Sequence, residues 1–136
     1  MTDADAHLRR LALPLDAPAA AALAAGNPLP VIRTAEGILL GVNEFAVGEE
    51  FANHIHEHLT ETFIGLSGEV ELWLDRTERV LITPGTVVSV PPPQEHYLRN
   101  ASTAPALIAY VKNPDLSEDR IWRPWTPHPT EKDHSA

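Results

Sequence analysis

The chain contains no cysteine, which excludes disulfides, thiolate zinc sites, iron–sulfur clusters and cysteine nucleophiles together. Basic residues are scarce as well: 10 Lys plus Arg stand against 19 Asp plus Glu, a formal net charge of −9. Such a surface is unsuited to tracking nucleic-acid phosphates or an anionic membrane, so neither partner is expected. Long apolar runs are also missing. The longest, Ala17 to Ala25, contains Pro18 and falls far short of the roughly 20 residues that a helical membrane span requires. The opening Met1-Thr2-Asp3-Ala4-Asp5 is acidic and lacks the basic-then-apolar order of a secretion signal, so a cytoplasmic location is the expectation. What remains is a chain of 136 residues, 43% apolar, sized for one domain with one core. It carries 7 His, and His54, His56, His58 and His96 fall in its middle.

The segment 1–30 reads as an arm. Asp16 can cap a short Ala-rich helix over Ala17 to Ala25, with Pro18 tolerated in the first turn and Gly26 as the stop. The alternative is a disordered Ala/Pro arm. From Val31 to Lys112 the pattern becomes short β-type runs punctuated by Ser67-Gly68, Asp75-Arg76, Pro84-Gly85 and Asn113-Pro114. Many short strands without a long helix indicate an all-β sandwich or barrel. In the run after Gly68, Val70, Leu72 and Leu74 share one face and are expected to be buried. Glu71 and Trp73 share the other, with Trp73 at a packing or subunit contact. Segment 113–136 is polar and Pro-rich and reads as an irregular tail. Trp122 and Trp125 would anchor it to the barrel, with disorder expected beyond about Thr130.

His54 and His56 are two residues apart in a β-type run and therefore project from one face. Glu61 follows after a short connection, and His96 arrives beyond Pro91-Pro92-Pro93. Three imidazoles and a carboxylate form a borderline-soft donor set suited to Fe(II), Mn(II), Ni(II), Cu(II) or Zn(II). A single His on a strand is usually an ordinary hydrogen-bonded residue, but here that reading would have to hold three times.

The spacing resembles the cupin family, of the small single-domain type that carries both motifs. From Gly48 there are five residues to His54, one to His56, four to Glu61 and six to Gly68. The second motif runs from Gly85 over five residues to Pro91, one to Pro93, two to His96 and three to Asn100. Pro93 stands where the family pattern has Gly. It stiffens the turn before His96 and could alter its approach angle, but removes no ligand. The resemblance covers about Val42 to Val111 and implies a small jelly-roll barrel of roughly six to eleven strands with a metal inside. It implies His54, His56, Glu61 and His96 as ligands, turn roles for Gly48, Gly68 and Gly85, a structural role for Asn100, and a homodimer.

Other residues are open to two readings. His58 falls in the turn between His56 and Glu61, either as a solvated turn histidine or as a catalytic proton donor or substrate contact. Phe63 and Gly65 share parity with Glu61, and Leu98 with His96, so these three are expected to line a mostly apolar substrate pocket. Gly65 would leave room for a ligand. Glu57 and Glu95 should be solvated, and Tyr97 and Arg99 should face outward. Four ligands would close a tetrahedral zinc site, so catalysis favours a five- or six-coordinate ion, Fe(II) foremost. The expected function is metal-dependent chemistry on a small organic molecule, led by oxygen-dependent oxidation of an enol, phenol or carboxylate. A redox-silent isomerase, cyclase or decarboxylase and a non-catalytic binding cupin are the alternatives.

Overall fold

A computed structural model describes residues 17–25, 27–35, 37–116 and 118–127. Asp16, Gly26 and the segment beyond Thr130, each assigned a role or state from the sequence, lie outside them, as do His7, His128 and His134. Helix α1 spans Ala17–Ala24. The strands are β1 (Leu29–Arg33), β2 (Leu39–Phe45), β3 (Glu50–Ile55), β4 (Thr60–Ser67) and β5 (Val70–Leu74). They continue with β6 (Glu78–Ile82), β7 (Val87–Val90), β8 (His96–Arg99), β9 (Ala106–Asn113) and β10 (Ile121–Trp122). Two antiparallel five-stranded sheets result, one ordered β1-β2-β9-β4-β7 and the other β10-β3-β8-β5-β6. Among the described residues the chain is all-β apart from α1, as the spacing of its turn signals predicts. Among the described residues no helix is long and apolar enough to cross a membrane.

The inner faces of the sheets meet in one apolar core built from alternate positions. Phe63 of β4, Val70, Leu72 and Leu74 of β5, Leu98 of β8 and Ile108 of β9 all belong to it. Each outer face is covered by a chain end. Ala22 of α1 packs with Ile32, Val42, Ile64, Leu66, Leu107 and Ala109 on the outside of the first sheet. On the second sheet Trp125 meets Trp73 and Tyr97 edge-on, with ring centroids 6.0 and 6.2 Å apart. Tyr97 thus faces outward as expected, yet it is buried, and its hydroxyl donates to Glu50. Glu71 is buried on the same face, where Trp73 Nε1 (2.6 Å) and Arg79 Nε (2.9 Å) donate to its carboxylate. The tail differs from its irregular expectation, because β10 pairs with β3 through Ile121–Ile55 and Trp122–His54.

Gly48, Gly68 and Gly85 have φ of 81°, 66° and 86°, the left-handed region open to glycine at little cost. Asn100 is fully buried: its Nδ2 donates to the Phe45 and Ala104 carbonyls, and its Oδ1 accepts from Ser102. Gly65 requires a correction. It faces inward, but a Cβ there would lie 2.0 Å from the Thr83 carbonyl oxygen. The turn between β6 and β7 fills that space and is tied to Gly65 by Gly65 N–H to Thr86 O and Gly85 N–H to Gly65 O. Gly65 therefore admits backbone, not ligand. Gly65→Ala should cost about 2 kcal/mol or more in chemical denaturation, because the methyl meets backbone that cannot rotate away. A loss below about 0.5 kcal/mol would mean the turn yields easily.

Candidate metal centre

His54 is the last but one residue of β3 and sits directly opposite His96 of β8, while Glu61 comes from β4 in the facing sheet. His56 lies one residue beyond β3. The four side chains are buried, and their potential ligand atoms lie within 4.8 Å of one another. The imidazole centroids of His54 and His96 are 4.1 Å apart, and that of His56 is 4.9 and 5.1 Å from them. Pro93 has not displaced His96.

Hydrogen bonds on the far side of each ring set what it presents to the centre. His54 Nδ1 meets the Ala52 carbonyl at 2.7 Å, and His96 Nδ1 meets the Gln94 carbonyl at 3.1 Å. His56 Nδ1 meets the Asp119 carbonyl. A carbonyl only accepts, so each Nδ1 carries the proton and each Nε2 of a neutral ring offers a lone pair. His56 Nε2 and His96 Nε2 lie 3.1 and 3.3 Å from Glu61 Oε1. Lone pairs aimed at a carboxylate oxygen need a cation between them, a proton or a metal ion. The donor set therefore fits a divalent transition metal, and this buried cluster could hold one.

The electrostatics agree. Burial, together with the neighbouring His96 and His56, pushes His54 down from 6.5 to about 3, against the pull of the Ala52 carbonyl and Glu61. Burial alone would raise Glu61, but hydrogen bonding to His56 and His96 and the charge of Lys112 hold it well below the carboxylate range. The centre thus presents a neutral imidazole and a firm anion near neutrality.

A cavity of about 110 Å³ adjoins the cluster, with His54 and Glu61 in its wall. Phe63 and Leu98 line this cavity, together with Phe45, Phe51 and Ile108. Asn43, Tyr110, Lys112 and Arg120 supply polar groups not anticipated from the sequence. The spacing of Ile108, Tyr110 and Lys112 on β9 was the available signal, since alternation sends all three inward. Phe51 enters because a register shift between Phe51 and His54 lets odd and even positions of β3 face one way.

His58 is not brought into the cluster. Its side chain is 72% exposed and its ring lies 3.8 Å from Glu57 at the surface. Glu57 is half exposed, but Glu95 is mostly covered and accepts from Asn53 and Arg76 instead of water alone. The residue missed most completely is Asp119. Its carboxylate accepts the backbone N–H groups of Glu57, His58 and Leu59 at 2.7, 2.8 and 2.9 Å, while its carbonyl orients His56.

These features coincide with a family assignment. The cupin-domain family model matches residues 41–112, and the chain belongs to the cupin family. No curated protein matches it significantly. It is similar to an uncharacterised conserved protein with a double-stranded β-helix domain from Klebsiella pneumoniae. That likeness has 19% identity, a TM-score of 0.63, and covers 86% of this chain and 94% of that one. The TT1209 protein from Thermus thermophilus is 26% identical with a TM-score of 0.56, over 84% of this chain and 96% of that one. A recombinant oxalate oxidase in complex with glycolate is 19% identical with a TM-score of 0.56, over 63% of this chain and 46% of its own.

Two outcomes are expected. Asp119→Ala should weaken metal binding about tenfold in competition with a chelator, because the loop carrying His56 loses its tether. Unchanged affinity would show that the Asp119 carboxylate plays no part in orienting His56. In metal-free protein, between pH 6.5 and 3 the unfolded chain takes up a proton that folded His54 refuses. Stability should then fall as pH is lowered through that window, by up to ~1.4 kcal/mol per pH unit from this one group. Denaturation profiles of the wild type and His54→Gln test this: the variant should lack that part of the slope, and identical profiles would contradict it.

Proposed function

We propose that the chain is a mononuclear metal-dependent cupin enzyme acting on a small organic molecule, with oxygen-dependent oxidation as its reaction. The observation that carries this reading is the convergence of three Nε2 atoms on Glu61 beside a cavity of small-molecule size. His54, His56, Glu61 and His96 would hold the metal, which when bound supplies Lewis acidity and, if redox-active as Fe(II) is, activation of O₂. The likeness to an oxalate oxidase holding glycolate supports an oxidative reading and a small carboxylate as ligand.

The rest of the chemistry belongs to the chain's own groups. The apolar wall of Phe45, Phe51, Phe63, Leu98 and Ile108 excludes water around a bound substrate. Burial and the charge of Glu61 raise the Tyr110 hydroxyl, with the charge of Arg33 opposing, so it stays protonated and can donate a hydrogen bond into the cavity. His58, on the surface, takes no part in this scheme. A homodimer is part of the proposal, with the exposed Val31 on edge strand β1 and Val87 on edge strand β7 available for contact.

Elemental analysis should find roughly one transition metal ion per chain, lost in His56→Ala. With Fe(II) and an enol, phenol or small carboxylate the protein should consume oxygen. Full turnover under anaerobic conditions, supported equally by Zn(II), Mn(II) and Ni(II), would replace oxidation with Lewis-acid isomerisation, cyclisation or decarboxylation. A biological effect that survives His56→Ala would point to a binding protein.

A further inference from the structure

Among the described basic residues, Lys112 and Arg120 are the two that line the cavity. Neither has an ion-pair partner among the described residues, whereas Arg33, Arg76 and Arg79 each meet a carboxylate at 2.9 Å. Glu57 and Glu118 share a surface pocket with Arg120 but make no ion pair with it, and three further acids nearby are committed elsewhere. Asp115 pairs with Arg33, and Asp119 accepts three backbone N–H groups. Glu61, which faces Lys112 across the β4–β9 register, is bound to His56 and His96.

Both cations are nevertheless held in place. The Arg120 guanidinium lies 5.1 Å from the ring centroid of Phe51 and 5.1 Å from that of Trp122. Lys112 Nζ lies 6.0 Å from the Tyr110 ring centroid. Aromatic faces position a cation without consuming its N–H donors, which stay available to a ligand. Arg120 is fixed further by the chain on either side, through the Asp119 tether and the β10–β3 pairing. Asn43 and Arg120 are exposed while His54, Glu61, Phe45, Phe63, Leu98 and Ile108 are buried, so the cavity opens on the Arg120 side. In a chain carrying net −9, a cavity wall with two cations outside any close ion pair among the described residues runs against the overall charge.

We infer that Lys112 and Arg120 form a carboxylate-recognising subsite, which selects small organic acids whose apolar body packs against Phe45, Phe51, Phe63, Leu98 and Ile108. Arg120 offers a planar fork matched to a carboxylate, Lys112 a point charge, and the Tyr110 hydroxyl a neutral donor beside them. The subsite rests on the small-molecule reading of the cavity but not on the identity of the metal. It assigns the substrate's acidity to recognition by the protein in addition to any bound ion.

Butyrate and benzoate, each paired with its uncharged amide, are the probes, measured by calorimetry and thermal shift with full-length protein. Measurements are made both metal-loaded and after chelation, with metal content determined in parallel. Each acid should bind about tenfold more tightly than its amide in both states, as an added charge-assisted contact requires. Lys112→Met and Arg120→Gln should each reduce that preference severalfold, the double variant should abolish it, and Arg120→Lys should restore part of it. The two Arg120 variants should keep wild-type metal content, since Arg120 touches none of the four clustered side chains. Lys112→Met and the double variant are compared with wild type after chelation, because the Lys112 charge also helps to keep Glu61 ionised. Equal binding of acid and amide overturns the subsite. So does an acid preference that survives in the double variant, or one seen only with metal present, because then the ion alone selects the anion. A protein that holds no metal yet prefers acids would retain the subsite and overturn the metal reading, so the two failures are distinct.

Discussion

The structure turns on the meeting of three imidazole lone pairs with one carboxylate across the gap between two sheets. His54, His56 and His96 come from one sheet and its β3 end, and Glu61 from the other. Every group in that meeting is buried, so none can be left to water without a cost of several kcal/mol. The surrounding fold supplies the compensation. Three backbone carbonyls fix the ring tautomers, and Lys112 adds its charge to the imidazoles that keep Glu61 ionised. A cation at the centre completes an arrangement that the backbone has already set up.

That dependence explains why the C-terminal segment belongs to the site. Asp119, Arg120, β10, Arg123 and Trp125 follow one another along the outside of β3 and β8. Asp119 holds the loop after His56, and Ile121–Trp122 extend the sheet beside His54. Asn53 exchanges hydrogen bonds with Arg123, its Nδ2 donating to the Arg123 carbonyl while the Arg123 N–H donates to the Asn53 carbonyl. The same strap delivers Arg120 to the cavity entrance between Phe51 and Trp122. One short segment thus positions His56, extends a sheet edge and places a charge at the open side.

The four clustered side chains are legible in the sequence through their spacing within two short motifs. Two His at a strand spacing share a face whatever the rest of the chain does, and the glycine positions mark turns by backbone requirement alone. Alternation puts Glu71 and Tyr97 on the correct outer face but leaves them facing solvent, whereas Trp73 and Arg79 bond to the buried Glu71 and Trp125 meets Tyr97 from far along the chain. Gly65 reads as open space in the sequence, whereas the 83–86 turn fills it. Lys112 and Arg120 carry no motif; only the β9 register and the course of the strap bring them to one cavity. What escapes the sequence is therefore set by contacts distant along the chain.

The most direct test of the central claim is X-ray absorption spectroscopy on protein loaded with a stoichiometric transition metal. The account predicts a first coordination sphere of nitrogen and oxygen only, with outer-shell scattering characteristic of three imidazoles. A sphere containing fewer than two imidazoles, or a spectrum indistinguishable from the hydrated ion, would contradict it.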